Sequence, residues 1–171
     1  MDGAPDKSEA ASYYFTYIEQ VKHPDIQAVL SQQIGEAEAM FSPIPEEKSL
    51  FRYAPEKWSI RQVLNHITDA ERVFAFRAYW FARAFDAPLP GMDQNIAAAG
   101  AEADQISWAA HIEEFRRVRL STLSLFANLP SDAWLRSGIA SDNRFTVRAL
   151  AWIVAGHFAH HTRIVHERYL K

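Results

Sequence analysis

Apolar residues recur at three- and four-residue steps in four separate stretches of the chain, with polar or proline-rich segments between them. In the first, Ile26, Val29, Leu30, Ile34, Ala37 and Phe41 fall on one stripe, which predicts a helix over residues 25–41. The following "SPIPEEKSLFRYAPEKW" holds three prolines, each lacking a backbone donor and disfavouring helix in the residue before it, and reads as a long, partly ordered connection. Ser59 with Gln62 three residues later is a capping-box pattern, and the unbroken run behind it predicts a second helix over residues 59–85. "DAPLPGMDQN" ends that run. A third helix is expected to start between Glu102 and Ser107 and to reach Asn128, with Trp108, Ile112, Phe115, Val118 or Leu120, Leu123 and Phe126 inward. After "LPSDAWLRSGIASDNRF", read as a short helical turn and an irregular loop, Thr146 caps a fourth helix through Tyr169.

Four long helices without a run of strand-type alternation indicate an all-α protein, a four-helix bundle with long connections. A chain of 171 residues is read as one domain, 1–171, with residues 1–20 as a less ordered N-terminal arm whose segment from Tyr13 to Val21 is able to pack as an extra strand-like or helical piece. The net charge of -3 opposes a broadly electropositive surface, so neither nucleic acid nor an anionic membrane is expected as a partner. The first residues lack a basic segment followed by an apolar core, and no apolar run approaches the ~18 residues of a membrane span. A cytoplasmic location is the expectation that follows. The absence of cysteine removes disulfides and thiolate ligands, so a metal site in this chain has only His, Asp and Glu to draw on.

That restriction directs attention to "GHFAHHTRIVH", which holds four of the seven histidines. On the fourth helix Leu150, Ile153, Val154, His157, His161, Ile164 and Val165 form one stripe, so His157 and His161 face the bundle. His160 lies with Gly156, Arg163 and Glu167, and His166 sits about 140° from His161 at roughly 100° per residue, so both belong to the rim or surface. On the second helix His66 interrupts an inward stripe of Val63, Ile67, Ala70, Phe74 and Arg77. Three imidazoles from two packed helices leave a fourth coordination position open, as catalytic divalent sites do. Zinc or nickel suits such a set first, and iron, manganese or cobalt also. Inward histidines that merely hydrogen-bond their neighbours would show the same pattern. Phe158 stands where a zincin protease carries its glutamate, which opposes that class. Asp69 is placed to support a ligand or to complete the coordination sphere, Arg77 either to balance an anionic substrate or to tilt outward into solvent, and His160 to support a ligand or touch substrate from the rim. The loop carrying Asp93 is able to cover the mouth, although a plain connection is the simpler reading. The many aromatics, among them Trp58, Phe74, Trp80, Trp108, Trp134 and Trp152, are read chiefly as core.

Taken in order, "RYAPEKWSIRQVLNHITDAERVFAFRA", "PLPGMD" and "VRALAWIVAGHFAHHTRIVHERYL" resemble the DinB-like, or YfiT-like, superfamily of metal-binding helical bundles. The resemblance covers nearly the whole chain after about residue 20. It implies a bundle that is often a homodimer, a role also open to the aromatic edge "ERVFAFRAYWFARAF", and it implies ligation by one histidine of the second helix and two, four apart, of the last. Those positions are His66, His157 and His161, which the facing argument selects separately. Relatives include S-transferases that use a low-molecular-weight thiol such as bacillithiol or mycothiol, and a maleylpyruvate isomerase. The resemblance therefore implies a small-molecule substrate, and thiol-dependent S-transfer to a small electrophile or its hydrolysis as the reaction. A non-catalytic metal- or ligand-binding stress protein and a metal-free structural dimer are the rival readings. Arg163 and Ile164 replace the Gly-Gln found in some relatives just after the last ligand.

Overall fold

The computed structural model describes residues 3–171. Among them the elements run α1 (Phe15–Ile18), α2 (Ile26–Phe41), α3 (Ile60–Ala82), α4 (Gln94–Gly100), α5 (Trp108–Ala127), β1 (Ser137–Ala140), β2 (Asn143–Thr146) and α6 (Val147–Arg168). The four long helices are those the periodicity predicts. Each begins at a side-chain cap: Asp25, the reciprocal Ser59–Gln62 box, Ser107 and Thr146 accept the first free backbone N–H groups. They pack in a ring, α2 beside α5, α5 beside α3, α3 beside α6 and α6 beside α2.

The core is split in two. One apolar cluster gathers Phe15, Ile18, Leu30, Phe74, Phe81, Phe126, Phe145, Leu150 and Trp152. The other gathers Phe41, Ile60, Leu64, Trp108, Phe115, Phe158 and Val165. In every long helix the change from one cluster to the other falls at buried polar residues: Gln33 on α2, His66 and Glu71 on α3, Arg119 on α5 and His157 on α6. A polar layer thus crosses the bundle between two apolar blocks. Burying such groups is costly unless each finds a partner, so what they bond to decides what the layer is for.

Several expectations are corrected. The second helix stops at Ala82 rather than residue 85, because Ala84 takes a left-handed conformation with φ 61°. The Ala84 and Phe85 N–H groups then bond the carbonyls of Phe81 and Trp80, and Phe85 stacks on Trp80 at 4.1 Å. This is a Schellman stop with alanine in the usual glycine position. The inward face of α5 carries Arg119 and Thr122, fully enclosed, and Leu120 is turned outward. The stretch read as an irregular loop is a β-hairpin of two four-residue antiparallel strands, tied to the rest by a bridge from Leu89 to Ala140. Ser141 and Asp142, both with positive φ, form its two-residue turn. Gly138 lets this hairpin lie on the Phe81 ring, where a Cβ would come within 2.2 Å.

The N-terminal segment packs as a helical piece. Phe15 and Ile18 are buried, and Glu9 accepts from Thr146 and pairs with Arg148. Burial pushes the Glu9 carboxyl up, but the Arg148, Asp6 and Thr146 hydrogen bonds outweigh it and hold the group below the ordinary range. Among the described residues no helix is long and apolar enough to cross a membrane.

Candidate metal centre

The faces that α3 and α6 turn toward each other are apolar until they reach the polar layer. There His66 on α3 meets His157 and, one turn further along α6, His161. The Nε2 atom of His157 lies 3.1 Å from that of His66 and 3.1 Å from that of His161. One ligand atom from each ring falls within a sphere of contacts no wider than 4.8 Å. Tetrahedral coordination with metal–nitrogen bonds of about 2.0–2.1 Å separates its ligand nitrogens by about 3.3–3.4 Å, close to the two 3.1 Å separations, while the third pair lies within 4.8 Å.

Electrostatics point the same way. Burial pushes the His66 imidazole down to about 4 and, with the charges of His66 and His160, that of His161 down to about 3. His157, the most deeply enclosed, is held well below the usual histidine range by burial first and then by the three neighbouring histidines. All three are neutral at neutral pH, the form that binds metal. Three neutral rings meeting through Nε2 satisfy one another poorly, since each nitrogen either donates or accepts and a single in-plane lone pair accepts one good bond. A divalent cation accepts from all three lone pairs together.

Aromatic groups fix the rings. Trp58 tilts over His66 with centroids 4.9 Å apart, and Tyr17 of α1 sets its edge against His157 at 5.2 Å and His160 at 5.4 Å. A cavity of about 190 Å³ opens beside the histidines, walled by Tyr14, Tyr17, Phe74, Met92, Gln94 and Arg77 among others. A larger groove of about 480 Å³, lined by Ile34, Trp108 and Ile112, contains no histidine and has no comparable chemistry.

The other sequence candidates divide. Arg77 is buried and reaches the cavity, donating from Nη2 to the Pro90 carbonyl at 3.0 Å and to Ser141 Oγ at 2.8 Å. Asp69 stands outside the histidine group and accepts from Arg72 at 2.9 Å. His160 sits at the rim, its Nδ1 3.3 Å from Gln20 Nε2. His166 is exposed. Asp93 caps α4, while its neighbours Met92 and Gln94 wall the cavity. Phe158 stacks on Phe115 at 5.3 Å as core. Tyr14, Tyr17 and Ser141 are cavity residues the sequence did not disclose. No local pattern marks them, because the N-terminal segment and the hairpin reach the site through tertiary packing alone.

A family model described as the DinB superfamily matches residues 30–165. No curated protein matches the chain. Among solved structures, YfiT from Bacillus subtilis, described as a probable metal-dependent hydrolase with an unusual four-helix bundle topology, aligns with a TM-score of 0.74 at 14% identity, over 97% of this chain and 91% of that one. A mycothiol-dependent maleylpyruvate isomerase aligns with a TM-score of 0.70 at 9% identity over 85% of this chain, which spans 61% of the isomerase. A point mutant of the same isomerase aligns equally. At these identities the likeness is one of fold.

Proposed function

The chain belongs to the DinB superfamily, and from that premise we propose that His66, His157 and His161 hold a divalent metal ion, zinc or nickel before iron, manganese or cobalt, at which a small electrophile undergoes thiol transfer or hydrolysis. The observation that carries the reading is the convergence of three neutral imidazoles, His157 Nε2 lying 3.1 Å from that of His66 and 3.1 Å from that of His161 and all three ligand atoms within 4.8 Å of one another, with no other shared partner among the described residues. When bound, such an ion lowers the pKa of a thiol or water in the remaining position and supplies a nucleophile at neutral pH. The chain's own part is to keep the three imidazoles deprotonated by burial, to hold His66 under Trp58 and His157 against Tyr17, and to leave the cavity of about 190 Å³ for the substrate. The small-molecule scale of that cavity and the descriptions of YfiT and the isomerase both support this class of activity.

Untagged protein purified without added metal or chelator tests it by elemental analysis, beside a triple variant His66→Ala, His157→Ala, His161→Ala and the single variant His161→Ala. Near-stoichiometric metal in the parent, lost in whichever variant keeps its helical circular dichroism, is the expected result. A parent that stays metal-free even after incubation with zinc or nickel overturns the reading. Turnover of an activated electrophile with and without added thiol then separates transfer from hydrolysis.

A further inference from the structure

Besides the histidines, the cavity contains one cation. Four arginines are largely buried, and three of them are matched to carboxylates: Arg61 to Glu46, Arg119 to Glu71 and Arg148 to Glu9. Arg77, at 3% exposure, has no carboxylate partner among the described residues. Its Nη2 is held by two neutral oxygens, the Pro90 carbonyl and Ser141 Oγ, which belong to the loop and the hairpin that roof the cavity. An enclosed charge without a counter-charge is expensive, and this chain elsewhere avoids that expense. Burial accordingly lowers the Arg77 pKa, with Tyr14 opposing the shift.

We propose that Arg77 is the anchor for a carboxylate of the substrate, so that the pocket selects small organic acids. This rests on the metal reading for the position of the reacting end and deepens it by naming the substrate class. The geometry sets the scale. Phe74 neighbours both poles of the cavity, its ring 6.1 Å from that of His157 and 5.7 Å from the Arg77 Cζ, which puts the two poles no more than about 12 Å apart. A carboxylate on Arg77 therefore leaves room for a few carbons along the Phe74 face before the histidines are reached. A cavity of about 190 Å³ is smaller than the roughly 300–1,000 Å³ of drug-sized sites, which suits a short acid. Both recorded bonds are donated by Nη2, to Ser141 Oγ and the Pro90 carbonyl, which fixes the guanidinium and leaves the Nε and Nη1 hydrogens for a charge-assisted bond to such a group.

Butyrate and its neutral isostere butyramide are the probes, with binding read by ligand-observed NMR. Binding to metal-loaded parent and to the metal-free His161→Ala chain separates Arg77 from the metal, since a carboxylate also ligates metals. The expected result is butyrate binding to both proteins, at least tenfold tighter than butyramide, and a tenfold or greater loss in Arg77→Gln with metal content unchanged. Equal binding of the two probes, undiminished butyrate binding in Arg77→Gln, binding that disappears with the metal, or no binding to either protein each overturn the proposal. If Arg77→Gln does not fold, Ser141→Ala gives the second test, with butyrate weakened two- to fivefold expected and no change overturning it. A parent that takes up no metal defeats the proposed function alone, because the anion test is also scored without metal.

Discussion

Two polar clusters share one cross-section of the bundle and are built on opposite principles. On the α5 side Arg119, fully buried, donates to both carboxylate oxygens of Glu71 at 2.8–3.0 Å, and its Nη1 donates to Gln33 Oε1 at 2.6 Å and to the Leu30 carbonyl at 3.2 Å. Gln33 Nε2 in turn donates to the Ala155 carbonyl at 2.9 Å. Charge meets charge, the Arg119 and Gln33 donors find acceptors, and α2, α3, α5 and α6 are tied through one network. On the α6 side three imidazoles face one another with like character and no opposite charge. The first cluster is completed by the chain. The second is left without a counter-charge among the described residues, which is the difference on which the proposed metal site rests.

The largest effect is expected from breaking the completed cluster. Arg119→Met leaves Glu71 buried without its partner and is expected to cost about 3–5 kcal/mol in urea unfolding, whereas the histidine variants cost the metal-free protein far less. A histidine variant that destabilises the metal-free chain as much as Arg119→Met would erase the contrast. Next comes pH. The folded pKa of His66, about 4, lies below the unfolded value near 6.5, so on acidification the unfolded chain takes up the proton first. The stability contributed by excluding it is intact above about pH 6.5 and falls as the pH drops toward 4, amounting to ~2 kcal/mol for one such histidine at pH 5. Urea midpoints of metal-free parent at pH 7.5 and pH 5 should diverge, and those of the His66→Ala chain should diverge less. The smallest effect concerns the N-terminal wall of the histidine cluster. A Cβ on Gly156 would stand 2.1 Å from the Tyr17 carbonyl oxygen. Gly156→Ala gains about 1 kcal/mol of helix propensity but suffers an overpacking cost of about 1–3 kcal/mol, for a net loss near 1 kcal/mol by thermal melting. It should also speed removal of bound metal by a chelator without weakening the Arg119 network. A rise in stability would mean that Tyr17 does not dock there.

The helices were legible from apolar residues recurring at three- and four-residue steps, and α3 and α6 also from their caps, the Ser59–Gln62 box and Thr146; the caps Asp25 and Ser107 emerge only in the structure. His66, His157 and His161 were legible because they interrupt apolar stripes, and the structure brings those three together. Arg119 was missed for the opposite reason. Phe115, Arg119, Thr122 and Phe126 keep the helical period and are all buried, but a charged residue reads as solvent-facing, so one of its apolar neighbours, Val118 or Leu120, reads as inward instead. Its partner Glu71 lies on another helix, and nothing local announces the pair. The hairpin escaped because its strands are four residues each and its turn uses Ser141-Asp142 in place of the glycine-containing pairs that advertise such turns. The Ala84 stop at the end of α3 escaped likewise, for lack of glycine.

The contact between Tyr17 and Gly156 joins an early segment of the chain to a late one, and this fixes when the pocket comes into being. Chains emerge from the ribosome N-terminus first, so the α1 segment is synthesised long before the helix on which it rests. The helix it packs against most is α6, so much of its resting surface is made last. His66 likewise waits through most of synthesis for His157 and His161. The three-nitrogen site and the wall that covers it are thus among the last features of the molecule to form, and a nascent chain interrupted before α6 holds a single one of the three histidines.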